Sequence, residues 1–388
     1  MTGEETTIRR RLVRSETDEL MLAACATDGA ERATALYERV GDEQAWNAAC
    51  AHELESHLAH KLMDCGMHVP NRWRSAHVRT ATRIGAYMKL LDDIAAALFA
   101  EGIPVIALKN TGIARGIFPC LGCSPMGDLD ILARPTDFQR AHQILSARGY
   151  RCDSRDRSGP DDPGAGGLEY EAEAEGVGKV WVELQWRSIA GRWIQPSQEP
   201  DPDEMFVRST SIHGSHVRLL SPEDNLLQVC LHTAKHSYLR APGLRLHTDV
   251  ERIVRGTQVD WDLFLRTVQQ LKVQTAVYFS LWLPMLLIGT PVPQEVLRQL
   301  EPPAWKRERI VRGLIRAGLF YPNTGRKFSR TGYLLFNLCL YDDLGVARKA
   351  IFPDQKTMQK RYGPANLFSL PVQHARRLAD LCFRRTGI

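Results

Sequence analysis

The amino-acid sequence predicts an α/β (α+β) fold in which a small mixed sheet is flanked by N-terminal and C-terminal helical regions. Apolar residues recur at helical spacing in the first part of the chain. Short apolar and alternating runs, which are typical of strands, follow, and helical spacing then returns. Helices before and after a compact mixed unit are expected to cover a small sheet. The predicted regions are an N-terminal helical region (1–100), a sheet-containing core (101–220) and a C-terminal helical domain (221–388).

Helical spacing in the N-terminal region is set by apolar residues. Leu54, Leu58 and Leu62 lie four residues apart, and similar spacing returns between Ile84 and Leu98. Such spacing gives each helix one apolar stripe, which must pack against another layer. Gly102 is expected to end the last of these helices, because glycine readily adopts the left-handed conformation found after helix ends.

The core region carries the first strand signals. The short apolar run Val105–Leu108 suits a buried strand, and Asp128–Leu132 suits a second one. A helical stretch is predicted between them, from Thr111 to Ile117, and another helix from Pro135 to about Arg148. Strands and helices therefore alternate here, as they do in compact mixed folds.

A hairpin and two irregular segments complete the core. Alternating residues predict paired strands over 168–174 and 179–186. Residues 153–167 are rich in Asp, Arg, Gly and Pro, which predicts a mobile loop. Residues 187–220 predict irregular structure with a short strand near Val217.

The C-terminal domain begins at a clear helix start. Ser221 can cap the first turn with its hydroxyl, and Pro222 suits the first helical position. Glu223 and Asp224 complement the positive end of the helix dipole. From here the pattern predicts helices, interrupted by prolines, to the end of the chain.

Composition limits the function classes. The chain of 388 residues is 44% hydrophobic and 24% charged, as globular proteins are, and its net charge of +5 suits an anionic substrate without requiring nucleic acid. The longest apolar stretch, Tyr278–Gly289, is about half of what a bilayer requires, so no membrane association is predicted. The chain start lacks the apolar segment of a secretory signal, and nine cysteines suit reduced thiols. We therefore expect a cytoplasmic protein.

Two acidic residues in the second predicted strand form the first candidate site. Side chains alternate between the faces of a strand, so Asp128 and Asp130 project from one face while Leu129 and Ile131 enter the core. Two carboxylates at 4 Å repel each other by roughly 4 kcal/mol at an effective dielectric near 20. A divalent cation removes that repulsion, and Mg²⁺ prefers carboxylates together with substrate phosphates. The alternative is a solvated edge strand, since Asp-x-Asp by itself is common.

A third acid stands in the predicted hairpin. Glu183 shares a strand face with Trp181 and Gln185, opposite to Val182 and Leu184. On a neighbouring strand it would complete a metal site, and it could also accept the proton of an attacking hydroxyl. The alternative for Glu183 is an ordinary residue on a solvated strand surface. A nucleobase could stack on a tryptophan, although core or rim positions are the alternative; the candidates are Trp181, Trp186, Trp193, Trp261 and Trp282.

Lys109 lies between the first predicted strand and the helical stretch that follows it. A helix N-terminus offers amide donors and partial positive charge, so a lysine at this point is suited to a phosphate. The alternative is an exposed lysine without a ligand.

The motifs together resemble a known family. The run LKNTGIARGIFPCLGCSPMGDLDIL, which is residues 108–132, and the run VELQW, which is residues 182–186, are similar to the signature of the uncharacterised nucleotidyltransferases within the DNA polymerase beta-like superfamily. Weaker similarity extends over roughly residues 45 to 365. The resemblance implies that the core is a small, mixed-sheet polymerase beta-like nucleotidyltransferase unit.

The resemblance also implies a reaction and its site. An acceptor hydroxyl would attack the α-phosphate of a nucleoside triphosphate in line, and pyrophosphate would leave. Asp128, Asp130 and Glu183 would be the catalytic residues and would bind two Mg²⁺ ions. The acceptor stays open among a small molecule, a peptide or protein, and an RNA end. The residues placed near the nucleotide are Lys109, Asn110, Thr111 and Arg115.

Departures from the family pattern favour an alternative. Asn110 stands where the family has a glycine, and Ser124 stands where it often has an arginine, a loss for which Arg115 or Arg134 could compensate. A catalytically degenerate relative that binds a nucleotide or a partner protein is therefore the second hypothesis. RNA binding without chemistry is less favoured, because no dense basic stripe is present. The remaining departures are Glu183 in place of Asp and Gln185 in place of His.

Two further groups are weaker candidates. His232 and His236 lie four residues apart in a predicted helix and, with Asp249, could line the acceptor site, although a structural role is the alternative. Cys120 and Cys123 form a C-x-x-C pair without a second cysteine pair at zinc-binding spacing. We therefore expect ordinary loop cysteines there rather than a zinc or redox site.

Overall fold

The N-terminal part of the chain is helical, as predicted. The computed structural model describes residues 2–118, 120–152, 159–160, 165–189, 193–240, 243–320, 327–363 and 369–383. Ser15 caps one of these helices by accepting a hydrogen bond from the Asp18 amide, and Thr2 and Glu5 form a capping box on the first. The helices are α1 (Gly3–Leu12), α2 (Glu16–Cys25), α3 (Ala30–Val40), α4 (Asp42–Ala51), α5 (Glu55–Asp64) and α6 (Asn71–Phe99).

A mixed sheet follows. Its strand order is β3-β4-β5-β2-β1-β7-β6 over the described residues. β2 pairs parallel with β5 and antiparallel with β1, and β1 pairs parallel with β7. The predicted α/β class with a small mixed sheet between helical regions is confirmed. The strands are β1 (Val105–Ala107), β2 (Asp128–Leu132), β3 (Arg151–Cys152), β4 (Gly167–Ala174), β5 (Gly178–Gln185), β6 (Thr210–Ser211) and β7 (Val217–Leu219).

Three α-helices are inserted among these strands in the part of the chain that the structure describes. They are α7 (Lys109–Gly116), α8 (Phe138–Ala147) and α9 (Pro202–Arg208). α9 lies in the segment predicted to be irregular, and its own start signal explains it: Asp201 caps the helix through the Asp203 amide, and Pro202 occupies the first turn. The predicted mobile loop at 153–167 falls largely outside the described residues.

The C-terminal part of the chain is helical, as predicted. Ser221 accepts a hydrogen bond from the Asp224 amide at the start of its first helix, as the sequence indicated. The helices are α10 (Pro222–Lys235), α11 (Leu244–Gly256), α12 (Trp261–Gln270), α13 (Gln274–Ile288), α14 (Gln294–Leu300), α15 (Ala304–Ala317), α16 (Arg330–Cys339), α17 (Leu344–Ile351), α18 (Gln355–Tyr362) and α19 (Ser369–Phe383).

Two apolar cores hold these layers together. Helices from both ends of the chain share one core, in which Leu58 and Leu62 join Leu226 and Phe279. The other core lies between the sheet and the apolar stripe of α6. The division into three domains stays a prediction.

The longest apolar stretch lies in α13, which is buried in the first of these cores. Nowhere in the described chain does a helix combine the length and the apolarity that crossing a bilayer demands.

Candidate functional site

The three predicted acids lie together on one face of the sheet. β2 and β5 are parallel and in register, so Asp130 lies opposite Glu183 and Asp128 lies opposite Trp181. Because side chains alternate along a strand, Asp128 and Asp130 point the same way. Donor oxygens of the three acids all lie within 4.8 Å of one another. We call this group the acidic cluster.

Lys109 supplies a cation to the acidic cluster. Its Nζ lies 2.6 Å from Asp130 Oδ1 and 3.4 Å from Glu183 Oε2. The backbone of Lys109 has a φ of 50°, a left-handed conformation that is costly for a residue other than glycine. In that conformation its N–H donates to Gln228 Oε1 at 2.9 Å. The lysine is buried, so it is not the exposed residue that the alternative described.

Gln185 and Thr111 fix the carboxylates from two further sides. Gln185 Nε2 donates to Asp130 Oδ1 at 2.8 Å and to Glu183 Oε2 at 2.7 Å. Thr111 Oγ1 accepts a hydrogen bond from the Asp130 backbone N–H at 3.0 Å. The sequence places Gln185 on the strand face of Glu183 and marks it as a departure from the family pattern, and in the structure it holds two of the three acids in place.

Burial and charge set the protonation of the acidic cluster. Burial raises the pKa of Asp130, and the two neighbouring carboxylates add to the effect against the opposing charge of Lys109. Burial also raises the pKa of Asp128. Burial disfavours the charge of Glu183 as well, but the Lys109 ammonium and the hydrogen bonds outweigh it and lower the pKa. For Lys109 the carboxylates outweigh burial and raise the pKa, so the lysine is charged at neutral pH.

α10 contributes a second cation and two histidines. Burial and then the charge of Lys109 lower the pKa of Lys235, whose charge in turn acts on the acidic cluster. Burial and Lys109 hold the pKa of His232 well below its usual value, so this imidazole is neutral. Its ring lies edge-to-face with that of His236, 4.8 Å between centroids. Asp249 lies on α11 beside arginines, where burial raises its pKa to about 6.

The loop that leads into β2 contains the two main departures from the family pattern. Asn110 Nδ2 donates to the Pro125 carbonyl at 3.0 Å, which ties the start of α7 to this loop. Ser124 is buried, and its hydroxyl donates to the Cys120 carbonyl at 3.3 Å. Both side chains therefore have structural hydrogen bonds here.

The two arginines proposed as phosphate ligands have carboxylate partners. Arg115 Nε lies 3.2 Å from Asp92 Oδ1 on α6. Arg134 Nε lies 3.1 Å from Asp203 Oδ1 on α9. Their place near a nucleotide stays a prediction, and a phosphate there would have to compete with these ion pairs.

A family model of uncharacterised nucleotidyltransferases matches residues 38–289, which is more than half of the chain. The chain belongs to this family. The match includes the whole sheet, the acidic cluster and Lys109. Neither a curated protein nor a solved structure matches the chain. Membership confirms the predicted resemblance and supports transfer of a nucleotidyl group as the class of reaction, with a nucleotide as substrate.

Proposed function

We propose that this family member moves a nucleoside monophosphate from a nucleoside triphosphate to an acceptor hydroxyl in an Mg²⁺-dependent reaction. The observation that carries the proposal is the convergence of Asp128, Asp130 and Glu183 beside the Lys109 ammonium. Three carboxylates at this spacing are costly unless cations neutralise them. Their position within two paired, ordered strands suits a site that must keep its geometry.

The donor set fits magnesium. Carboxylate oxygens are the ligands that Mg²⁺ takes from proteins, and it completes its shell with substrate phosphates and water. Three carboxylates and one ammonium leave a formal charge of −2, which one divalent cation matches. The triphosphate would bring the negative charge that retains the second expected ion. When bound, the ions would polarise the phosphate and offset charge on the attacking and leaving oxygens.

The protein groups would position the reactants and take up the proton. Lys109 is already aligned with the acidic cluster, and its ammonium can transfer from Asp130 to a phosphate oxygen when the nucleotide enters. Amides at the start of α7 would add partial positive charge there. Glu183, whose pKa is lowered, is ionised and is the proposed acceptor of the hydroxyl proton. Gln185 would hold that carboxylate in orientation.

Trp181 marks the side on which the nucleobase would bind. It is 47% exposed, which is uncommon for an indole, and it lies next to Asp128 across the parallel strand pair. It also shares a strand face with Glu183. An aromatic face beside the metal ligands is suited to stacking on a base.

The acceptor side is proposed to lie toward α10. His232 is neutral, and it and Lys235 both respond to the charge of Lys109. The neutral His232 imidazole and one cation favour a polar acceptor of small size or a peptide side chain over a polyanion such as RNA. The assignment of Asp249 and His236 to this acceptor site is part of the same proposal.

The degenerate alternative rests on Asn110 and Ser124. Their hydrogen bonds stabilise the loop that enters β2. This structural role would be the same in an active enzyme and in an inactive relative, so it favours neither hypothesis. Turnover is therefore what separates the two hypotheses.

The test is transfer from each α-labelled nucleoside triphosphate, with Mg²⁺ and a cell extract as the source of acceptors. We expect a labelled acceptor with the native chain, and a loss of roughly 10²–10³-fold or more in Asp128→Asn, Asp130→Asn and Glu183→Gln, because each removes a preorganised charge. Asp262→Asn is the matched control, since Asp262 is exposed on α12.

Two outcomes would overturn the proposal. Nucleotide binding by calorimetry without transfer to any acceptor would favour the degenerate relative. Transfer that survives in all three acid variants would show that the acidic cluster is not the catalytic site.

A further inference from the structure

Four metal-ligating side chains meet on the far side of the loop that enters β2. His60 lies on α5 and His77 lies on α6, while Cys120 precedes and Cys123 ends a short 3₁₀ turn (Leu121–Cys123). One donor atom of each residue lies within 4.8 Å of the other three. None of the four belongs to the acidic cluster, and we call them the Cys/His cluster.

The chemistry of these donors points to zinc. Two thiolates and two imidazoles form one of the tetrahedral sets that structural Zn²⁺ sites use. The two sulfurs lie 3.1 Å apart, too far for a disulfide bond. Zinc bound at about 2.3 Å to each sulfur needs them roughly 3.8 Å apart, so only a small adjustment separates the present geometry from a site.

The surroundings orient His77 as a ligand. Its Nδ1 lies 3.1 Å from the Ser56 carbonyl, so the ring donates there and leaves Nε2 as the nitrogen available to a metal. Metal-binding histidines usually make such a hydrogen bond through their other nitrogen. His60 lies parallel to His77, with ring centroids 5.4 Å apart.

The turn between the sulfurs is shaped to the histidine. A Cβ at Gly122 would overlap the His77 ring, so the turn approaches closely only because this residue is glycine. Cys123 N–H donates to the Cys120 carbonyl at 3.0 Å and closes the turn. Arg252 of α11 donates to the Cys123 carbonyl and holds the turn from its other side.

We propose that His60, His77, Cys120 and Cys123 bind one Zn²⁺ ion as a structural site. The ion would fasten α5 and α6 to the loop that continues directly into Asp128. A metal held by four protein ligands has no position for substrate, so its role would be to fix the N-terminal helices against the core. This proposal does not depend on nucleotidyl transfer.

The experiment measures metal in the purified full-length chain, without a histidine tag, from zinc-supplemented cells. We expect about one zinc per chain by elemental analysis, and for Co²⁺ exchanged into the site the intense visible bands of tetrahedral cobalt with a thiolate-to-cobalt charge-transfer band. The zinc and the cobalt bands should both be lost in the double variant Cys120→Ser with Cys123→Ser, and also in the single variant His60→Ala. The matched controls are Cys50→Ser with Cys65→Ser, and His68→Ala, all exposed residues that should keep the metal.

The native chain alone keeps the proposal testable if a variant does not fold. Zinc should protect Cys120 and Cys123 from alkylation, and chelation should expose them. A native chain that takes up neither zinc nor cobalt, or that is isolated with a Cys120–Cys123 disulfide as its stable form, would overturn the proposal. The second result would assign a redox role to the pair.

Discussion

The acidic cluster and the Cys/His cluster lie at opposite ends of one short segment, and they solve the problem of gathering ligands differently. The acidic cluster comes from two adjacent strands and contains its own cation, Lys109. The Cys/His cluster comes from two helices and a turn, and its histidines are separated in sequence from its cysteines. The acidic cluster therefore contains a neutralising cation even when no metal is bound. The four residues of the Cys/His cluster include no lysine, and the proposed zinc would hold these ligands together.

Because of this difference, we expect the two proposed metals to stay bound for different times. Oxygen ligands that are partly neutralised by a lysine favour ions that arrive and leave with a nucleotide. Thiolates and imidazoles favour an ion that stays bound and contributes to the folding free energy. We therefore expect removal of Mg²⁺ to stop transfer with little effect on the free energy of unfolding. Removal of Zn²⁺ should act mainly by lowering the free energy of unfolding.

Lys109→Gln should have the largest effect of three changes that probe this comparison. Loss of a charged hydrogen-bond donor to phosphate costs roughly 1.5–3 kcal/mol, or about 10–100-fold in transfer. The acidic cluster would at the same time become more negative, so Mn²⁺, used as a probe for Mg²⁺, should bind more tightly by titration. Slower transfer together with tighter Mn²⁺ binding distinguishes a phosphate-binding lysine from a merely structural one.

A surface lysine provides the control for that variant. Lys89 pairs with Glu175 where both side chains are largely exposed, so Lys89→Gln should change neither Mn²⁺ affinity nor transfer. A Lys109 variant that binds Mn²⁺ more weakly would contradict the assigned role, because the lysine would then be needed to shape the acidic cluster rather than to balance its charge.

Gly122→Ala should have the next largest effect and should act on the Cys/His cluster. The added Cβ would overlap the His77 ring, and overpacking of this kind costs about 1–3 kcal/mol of stability. We expect a lower free energy of unfolding in a denaturant titration and a lower zinc content. Gly127→Ala is the control in the same loop, because its added Cβ meets nothing within 4 Å. Equal stability of the two variants would mean that the turn is not tightly packed.

The sequence predicts the acidic cluster well because its geometry follows from strand periodicity. Alternation places Asp128 and Asp130 on one face, and the same rule places Glu183 with Gln185 on the next strand. Pairing of β2 with β5 is a long-range event that local pattern does not predict, and the family resemblance implies only that Glu183 joins the other two acids. Local pattern does not predict the left-handed backbone of Lys109, whose ammonium lies against Asp130 and Glu183.

The Cys/His cluster shows where sequence reasoning ends. Cys120 and Cys123 were visible as a pair, but no spacing rule links them to His60 and His77. Those histidines approach only because α5 and α6 pack together and α6 passes over the turn. Cysteine spacing alone therefore does not indicate the histidines that the tertiary fold brings to this pair.

The smallest expected effect is a pH dependence of the free energy of unfolding, which should arise from Asp130 in the acidic cluster. Burial raises the pKa of Asp130 above its ordinary 3.8, so the metal-free cluster retains a proton to higher pH than a free carboxylate does. Proton binding by the folded state adds stability below the ordinary pKa, and this contribution is lost as pH rises through the raised pKa. The free energy of unfolding of the native chain relative to Asp130→Asn should therefore decrease with pH in the absence of metal.

Bound Mg²⁺ should reverse that trend, since the ion replaces the proton. Each ion that displaces one proton makes the apparent affinity for Mn²⁺ rise by up to about tenfold per pH unit until Asp130 is fully ionised, after which it levels off. Calorimetric titrations across this range measure the slope, and Asp262→Asn should reproduce it. An Mn²⁺ affinity that does not change with pH would mean that Lys109 already keeps Asp130 ionised. The Lys109 charge would then neutralise part of the charge of Asp130 and Glu183, with no proton shared between these two carboxylates.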